Sequence, residues 1–102
     1  MSVLLTVSYR VTGEVAAFRA HAGTVAARIA AWPGLKWKVW GLGPDGVGLS
    51  AYLFETGEAA TAFAEGPILA GLKANPAVEG VTVAIAPVDA ELSQLTHAGF
   101  AA

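Results

Sequence analysis

The sequence predicts a single α+β domain in the order β-α-β-β-α-β, with two helices on one face of a four-stranded antiparallel sheet. Three observations carry this. Val3 to Val11 alternates with period two, and the apolar spacing becomes helical directly after Gly13. A strong turn, Gly43-Pro44-Asp45-Gly46, separates two further apolar runs, which makes them a hairpin. A chain of 102 residues is enough for one domain and too short for two.

Each element has its own reason. In the first strand Val3, Leu5, Val7, Tyr9 and Val11 point one way and Leu4, Thr6, Ser8 and Arg10 the other. Val15, Phe18, Ala22, Val25 and Ile29 then form a helical stripe. Thr12 or Gly13 stands where a cap is needed, and Glu14 and Arg28 suit the two ends of the helix dipole. Trp32-Pro33-Gly34 ends the helix. Strict alternation in the second strand, Leu35 to Trp40, puts Leu35, Trp37 and Val39 on the helix-covered face and Lys36, Lys38 and Trp40 on the other. The third strand, Val47 to Phe54, is expected to turn Val47, Leu49, Ala51 and Leu53 to the helices and Gly48, Ser50, Tyr52 and Phe54 away. Thr56 caps a second helix that buries Phe63, and Gly66-Pro67 breaks it. Pro67 opens a further helical turn carrying Ile68, Leu69 and Leu72, which Asn75-Pro76 stops. Val78 to Val88 is the fourth strand, with Val81, Val83 and Ile85 on one face, and Asp89 caps a short tail helix through Leu92 and Leu95. This order is the split βαβ, or ferredoxin-like, plan.

Composition adds an expectation of assembly. The chain is 55% hydrophobic and 14% charged, against about 25% charged in ordinary soluble domains. Trp40, Tyr52 and Phe54 on an uncovered sheet face would be a large apolar patch, so these three are expected to form a homodimer interface, sheet against sheet. A net charge of -2 gives no electrostatic footprint for nucleic acid. Cysteine is absent, which excludes disulfides and thiolate chemistry. No apolar run is long enough to span a membrane and the first residues lack a signal-peptide pattern, so a cytoplasmic location is expected.

Candidate chemical groups are few. His21 lies at the border of the first helix's apolar stripe and could take a proton near neutral pH, or simply sit half-exposed on the helix. His97 falls in the tail and reads as structural. Three indoles, Trp32, Trp37 and Trp40, fall within nine residues. They pack the core, or Trp37 lines a pocket and stacks on a flat aromatic ligand. Tyr9, Phe18 and Ala51 would complete that pocket, with Tyr9 offering a hydroxyl. Two histidines without a neighbouring carboxylate cluster argue against a metal site, and no carboxylate pair suggests glycoside hydrolysis. Gly41-x-Gly43 lacks the helix of a nucleotide fingerprint.

Three segments resemble one family. Pro33-Gly34-Leu35-Lys36-Trp37-Lys38-Val39-Trp40 is similar to the PGF-x-W-K-V-W stretch of the YdhR-like monooxygenases. Gly48-Leu49-Ser50-Ala51-Tyr52-Leu53-Phe54 resembles their GG-x-YLF strand, and Val88-Asp89-Ala90-Glu91-Leu92-Ser93-Gln94-Leu95 their DVNEPLSQI tail, with Glu91 in place of the family's proline. The resemblance implies a ferredoxin-like homodimer whose sheets close into a dimeric α+β barrel. It also implies oxygenation of a small planar aromatic or quinol-type compound without metal or flavin, because an electron-rich substrate anion can pass an electron to O₂ itself. His21 would be the base and Tyr9, Phe18, Trp37 and Ala51 the substrate contacts. Haem degradation in related proteins needs an asparagine on the first strand, whereas this chain's only asparagine is Asn75. Two other readings stand beside this one: a non-catalytic dimer that binds a small ligand, and a purely structural dimer.

Overall fold

The computed structural model describes residues 1–99. Eight elements follow one another: β1 (Val3–Val11), α1 (Val15–Ala30), β2 (Leu35–Leu42), β3 (Val47–Phe54), α2 (Gly57–Ala64), α3 (Pro67–Ala74), β4 (Val78–Pro87) and α4 (Ala90–Leu95). All strand pairs are antiparallel, in the order β2-β3-β1-β4. The ferredoxin-like expectation holds.

β1 is central because its alternation leaves one face wholly apolar. Val3, Leu5, Val7, Tyr9 and Val11 are buried under the helices, meeting Phe18 and Ile29 of α1, Phe63 of α2 and Leu69 of α3. Phe63 is the hub of the aromatic packing: its ring centroid lies 4.8 Å from Tyr52, 5.3 Å from Trp32 and 5.6 Å from Phe54. Such tilted and edge-on pairs add to the burial of the rings themselves. No helix among the described residues is long and apolar enough to cross a membrane.

Local signals behave as the sequence implies, with one exception. Thr56 Oγ1 accepts from Ala59 N, Asp89 Oδ1 accepts from Leu92 N, and Pro67 opens α3. In the β2–β3 turn Gly46 takes φ +91, which glycine adopts without strain, and Asp45 Oδ1 accepts from Val47 N. The exception is α1. Its N-cap is Glu14, with no side-chain cap; Thr12 instead donates its backbone N–H to Ala77 O, tying β1 to the loop before β4.

Two face assignments are reversed. In β3, Gly48, Ser50, Tyr52 and Phe54 face the helices, in register with Tyr9, Val7, Leu5 and Val3 of β1. Ala51 therefore lies on the uncovered face, paired with Thr6. In β2 the pairing with β3 shifts between Leu35 and Trp37, a bulge that absorbs Lys36. One extra residue turns every following side chain over. Leu35 packs against the core, but beyond the bulge Lys38, Trp40 and Leu42 turn inward and Trp37 and Val39 outward. Trp40, Tyr52 and Phe54 are thus on the helix side, where Tyr52 and Phe54 are fully covered within one chain. They do not form an open-face interface. The exposed apolar residues of that face are Trp37, Val39, Val47 and Leu49.

Candidate functional site

Between the helices and the inner sheet face lies a pocket of about 180 Å³. A cavity of ~150 Å³ already admits a benzene ring. Val7, Tyr9, Lys38, Trp40, Ser50 and Tyr52 form its floor. Phe18, His21, Ala22, Val25, Arg28 and Ile29 of α1 form one wall, and Ile68, Leu69, Gly71 and Leu72 of α3 another. The α1 residues share one face because 3.6 residues make a turn. A shallower groove continues from it past Tyr9, Phe18 and Trp40 towards Leu42 and Pro44.

The floor owes its shape to one missing side chain. The Tyr9 ring lies over Gly48, where a Cβ would collide with Cε2 and Cζ of the ring. Tyr9 also packs on Phe18, with ring centroids 5.5 Å apart.

Polar groups converge on this apolar frame. Lys38 Nζ lies 3.1 Å from the Trp40 ring centroid and 4.5 Å from that of Tyr52, a cation–π arrangement with two faces. Lys38 is half-buried, and among the described residues no carboxylate pairs with it. Burial pulls its amine down to about 7, since the charged form loses water. The same cause raises both phenols; for Tyr52, repulsion from Tyr9 adds to it. The nearby Ser50 hydroxyl opposes the rise at Tyr9, yet the two groups do not meet hydrogen-bond geometry, and buried Ser50 Oγ has no hydrogen-bond partner among the described residues. A buried hydroxyl left unpaired costs about 1–3 kcal/mol, so the floor holds an unmet demand for a polar ligand atom.

Of the sequence-predicted site residues, the fold brings Tyr9, Phe18 and His21 together on the pocket. His21 is exposed and contributes to the wall from the solvent side. Trp37 and Ala51 are not in the pocket, because they point through the sheet to the open face. Trp40 and Tyr52, expected at an interface, line the pocket, and Phe54 belongs to the core beside Phe63. Lys38 and Ser50 are expected from sequence on the uncovered face, Lys38 as a solvated or interface ion-pair residue, and the fold turns both into the pocket instead. A lysine and a serine aligned with aromatics on alternating strands are the available signal, but reading it requires the bulge at Lys36. Among the described residues no three His, Asp or Glu side chains are grouped to hold a metal ion. His97 adopts φ +73 in the exposed tail, away from the pocket.

Known proteins share this architecture. The chain is similar to a Nitrosomonas europaea protein of unknown function, NE2512, at 20% identity and TM-score 0.74, covering 87% of this chain and 90% of that one. It is similar to SnoaB, a cofactor-independent oxygenase from Streptomyces nogalater, at 18% identity and TM-score 0.70, covering 85% and 92%. A mutant of MhuD with two manganese protoporphyrin IX molecules bound per active site matches at 22% identity and TM-score 0.65, covering 85% and 94%. No curated protein matches. These likenesses establish the fold, and one match reaches further, because it covers β1, the pocket floor and the tail helix together. Over residues 4–99 the sequence fits the family described as "Putative mono-oxygenase ydhR", and the chain belongs to that family.

Proposed function

We propose that the protein is a homodimeric mono-oxygenase that needs no metal or flavin and oxidises a small planar aromatic or quinol-type compound in the pocket between α1, α3 and the sheet. The observation that carries this is an apolar pocket of about 180 Å³ whose floor holds Lys38, Tyr9 and a buried hydroxyl, Ser50 Oγ, that has no hydrogen-bond partner among the described residues. The apolar walls take a ring, and the polar end takes its oxygen. Family membership supports oxygen chemistry, and the similarity to SnoaB supports the cofactor-independent form of it.

The chemistry balances on substrate and O₂ alone. His21, at the solvent side of the pocket, takes a proton from an activated CH₂ or phenol. The resulting anion gives one electron to O₂, the radical pair joins as a carbon-bound peroxide anion, and the proton on His21 returns to it to form the hydroperoxide. Loss of water leaves C=O, so one oxygen atom enters the product and the other leaves as water. The protein supplies the base and holds the substrate in an apolar pocket.

The uncovered sheet face fits a second copy of this chain. Trp37, Val39 and Leu49 are 41%, 59% and 59% exposed there, a patch that stacked sheets about 10 Å apart would bury. The tail helix α4 buries none of its own residues and leaves Leu92 and Leu95 exposed. It offers a second apolar surface to the partner. A cytoplasmic setting accords with a chain that has no cysteine.

Oxygen uptake with a panel of anthrones and quinols tests the activity. The proposal expects uptake well above autoxidation, with His21→Ala slowing it by roughly 10²–10⁴-fold. Saturable binding without uptake would instead leave a ligand-binding dimer.

A further inference from the structure

The pocket has a charge character that its overall composition does not predict. The chain has eight Asp and Glu against six Lys and Arg. Among the described residues, no carboxylate lines the pocket, while His21, Arg28 and Lys38 all do. Lys38 is the innermost of these by burial, since His21 and Arg28 are exposed on α1. Among the described residues its ammonium meets two ring faces and no hydrogen-bond acceptor. Buried Ser50 Oγ, on the same floor, has no partner among them either.

We propose that the natural ligand is an aromatic oxyanion, a ring bearing an ionised phenol or carboxyl oxygen, and that Lys38 holds its charge while Ser50 donates a second hydrogen bond. This rests on reading the pocket as the substrate site and adds the substrate class. A charge-assisted bond is about twice as strong as a neutral one and gains further where burial lowers the local dielectric. Arg28 at the outer wall attracts the anion towards the opening. The titratable groups facing Lys38 are His21 and Arg28 from α1, Tyr9 from β1 and Tyr52 from β3; α3 presents none to the pocket. Both phenols are raised by burial and stay neutral, so among the described residues no anion lining the pocket competes for Lys38.

The test is equilibrium binding of a hydroxynaphthoate and its uncharged methyl ester, read by tryptophan fluorescence of the intact protein. The acid should bind about tenfold or more tighter than the ester, Lys38→Met should remove that preference, and Lys38→Arg should retain it. Affinity for the acid should fall as pH rises through about 7, where Lys38 loses its proton, while that for the ester stays flat. Should Lys38→Met fail to fold, the same pH profile measured in His21→Gln decides, because that variant removes the other titratable base of the pocket. Equal affinity for acid and ester, or a preference that survives in Lys38→Met, overturns the inference and leaves the pocket as a neutral-ligand site. Binding of neither overturns the pocket reading and this inference with it.

Discussion

The Tyr9 ring occupies the space that a Cβ of Gly48 would fill. A strand interior ordinarily disfavours glycine, and a glycine there often marks close approach by another group. Here the group is the aromatic ring that forms the pocket floor and carries α1 through Phe18. Gly48→Ala should therefore destabilise the fold by about 1–3 kcal/mol, the usual cost of overpacking. Denaturant unfolding measures it, and the loss should shrink in a Tyr9→Leu background, because the two positions share one space.

The three indoles are set in different surroundings, so they report separately. Trp40 lines the pocket, Trp32 packs edge-on against Phe63, and Trp37 points through the sheet. An aromatic ligand should quench wild-type fluorescence. Trp40→Phe should abolish most of that quenching and Trp37→Phe should leave it intact. Quenching lost with Trp37 instead would place the ligand on the open face.

Assembly through the open face is checked by sedimentation. The wild type should run at about twice 10.3 kDa at micromolar concentration. Val39→Lys combined with Leu49→Lys puts two charges in the proposed contact without touching the core, and should yield the monomer. A wild-type monomer would contradict the barrel.

Lys38 makes stability depend on pH. Its amine is lowered from the ordinary 10.5 to about 7 in the folded protein. Below about 7 it is charged in both states, and the fold bears the cost of keeping that charge partly out of water. Between about 7 and 10.5 the unfolded chain holds a proton that the folded chain has released, so stability rises with pH across this window. Lys38→Met removes that dependence. The variant's stability advantage over wild type, taken from thermal unfolding, should be largest near about pH 6 and should narrow towards about pH 9.

Much of the fold is legible in the sequence because local signals agree with the global plan. The turn at Gly43–Gly46, the caps at Thr56 and Asp89, and the proline at the start of α3 are short-range chemistry and stand where the residues predict. The candidate site is legible only on β1 and α1, where Tyr9, Phe18 and His21 follow from simple periodicity. On β2 the bulge at Lys36 breaks the alternation, so Trp37 and Trp40 exchange faces. On β3 the more aliphatic row, Val47, Leu49, Ala51 and Leu53, looks like the core-facing one. The register with β1 turns Gly48, Ser50, Tyr52 and Phe54 to the helices instead, where Gly48 accommodates Tyr9 and the aromatic rings meet Phe63. Burial fraction cannot be read from hydrophobicity when both rows are apolar.

The fate of the oxygen atoms tests the central claim most directly. The protein, an anthrone substrate and isotopically heavy O₂ are incubated together without added metal or flavin, and the product is read by mass spectrometry. One heavy oxygen atom should appear in the new C=O group, at a rate that depends on His21 and on Trp40. Product that carries no heavy oxygen, or forms no faster than in buffer alone, would contradict a mono-oxygenase working in this pocket.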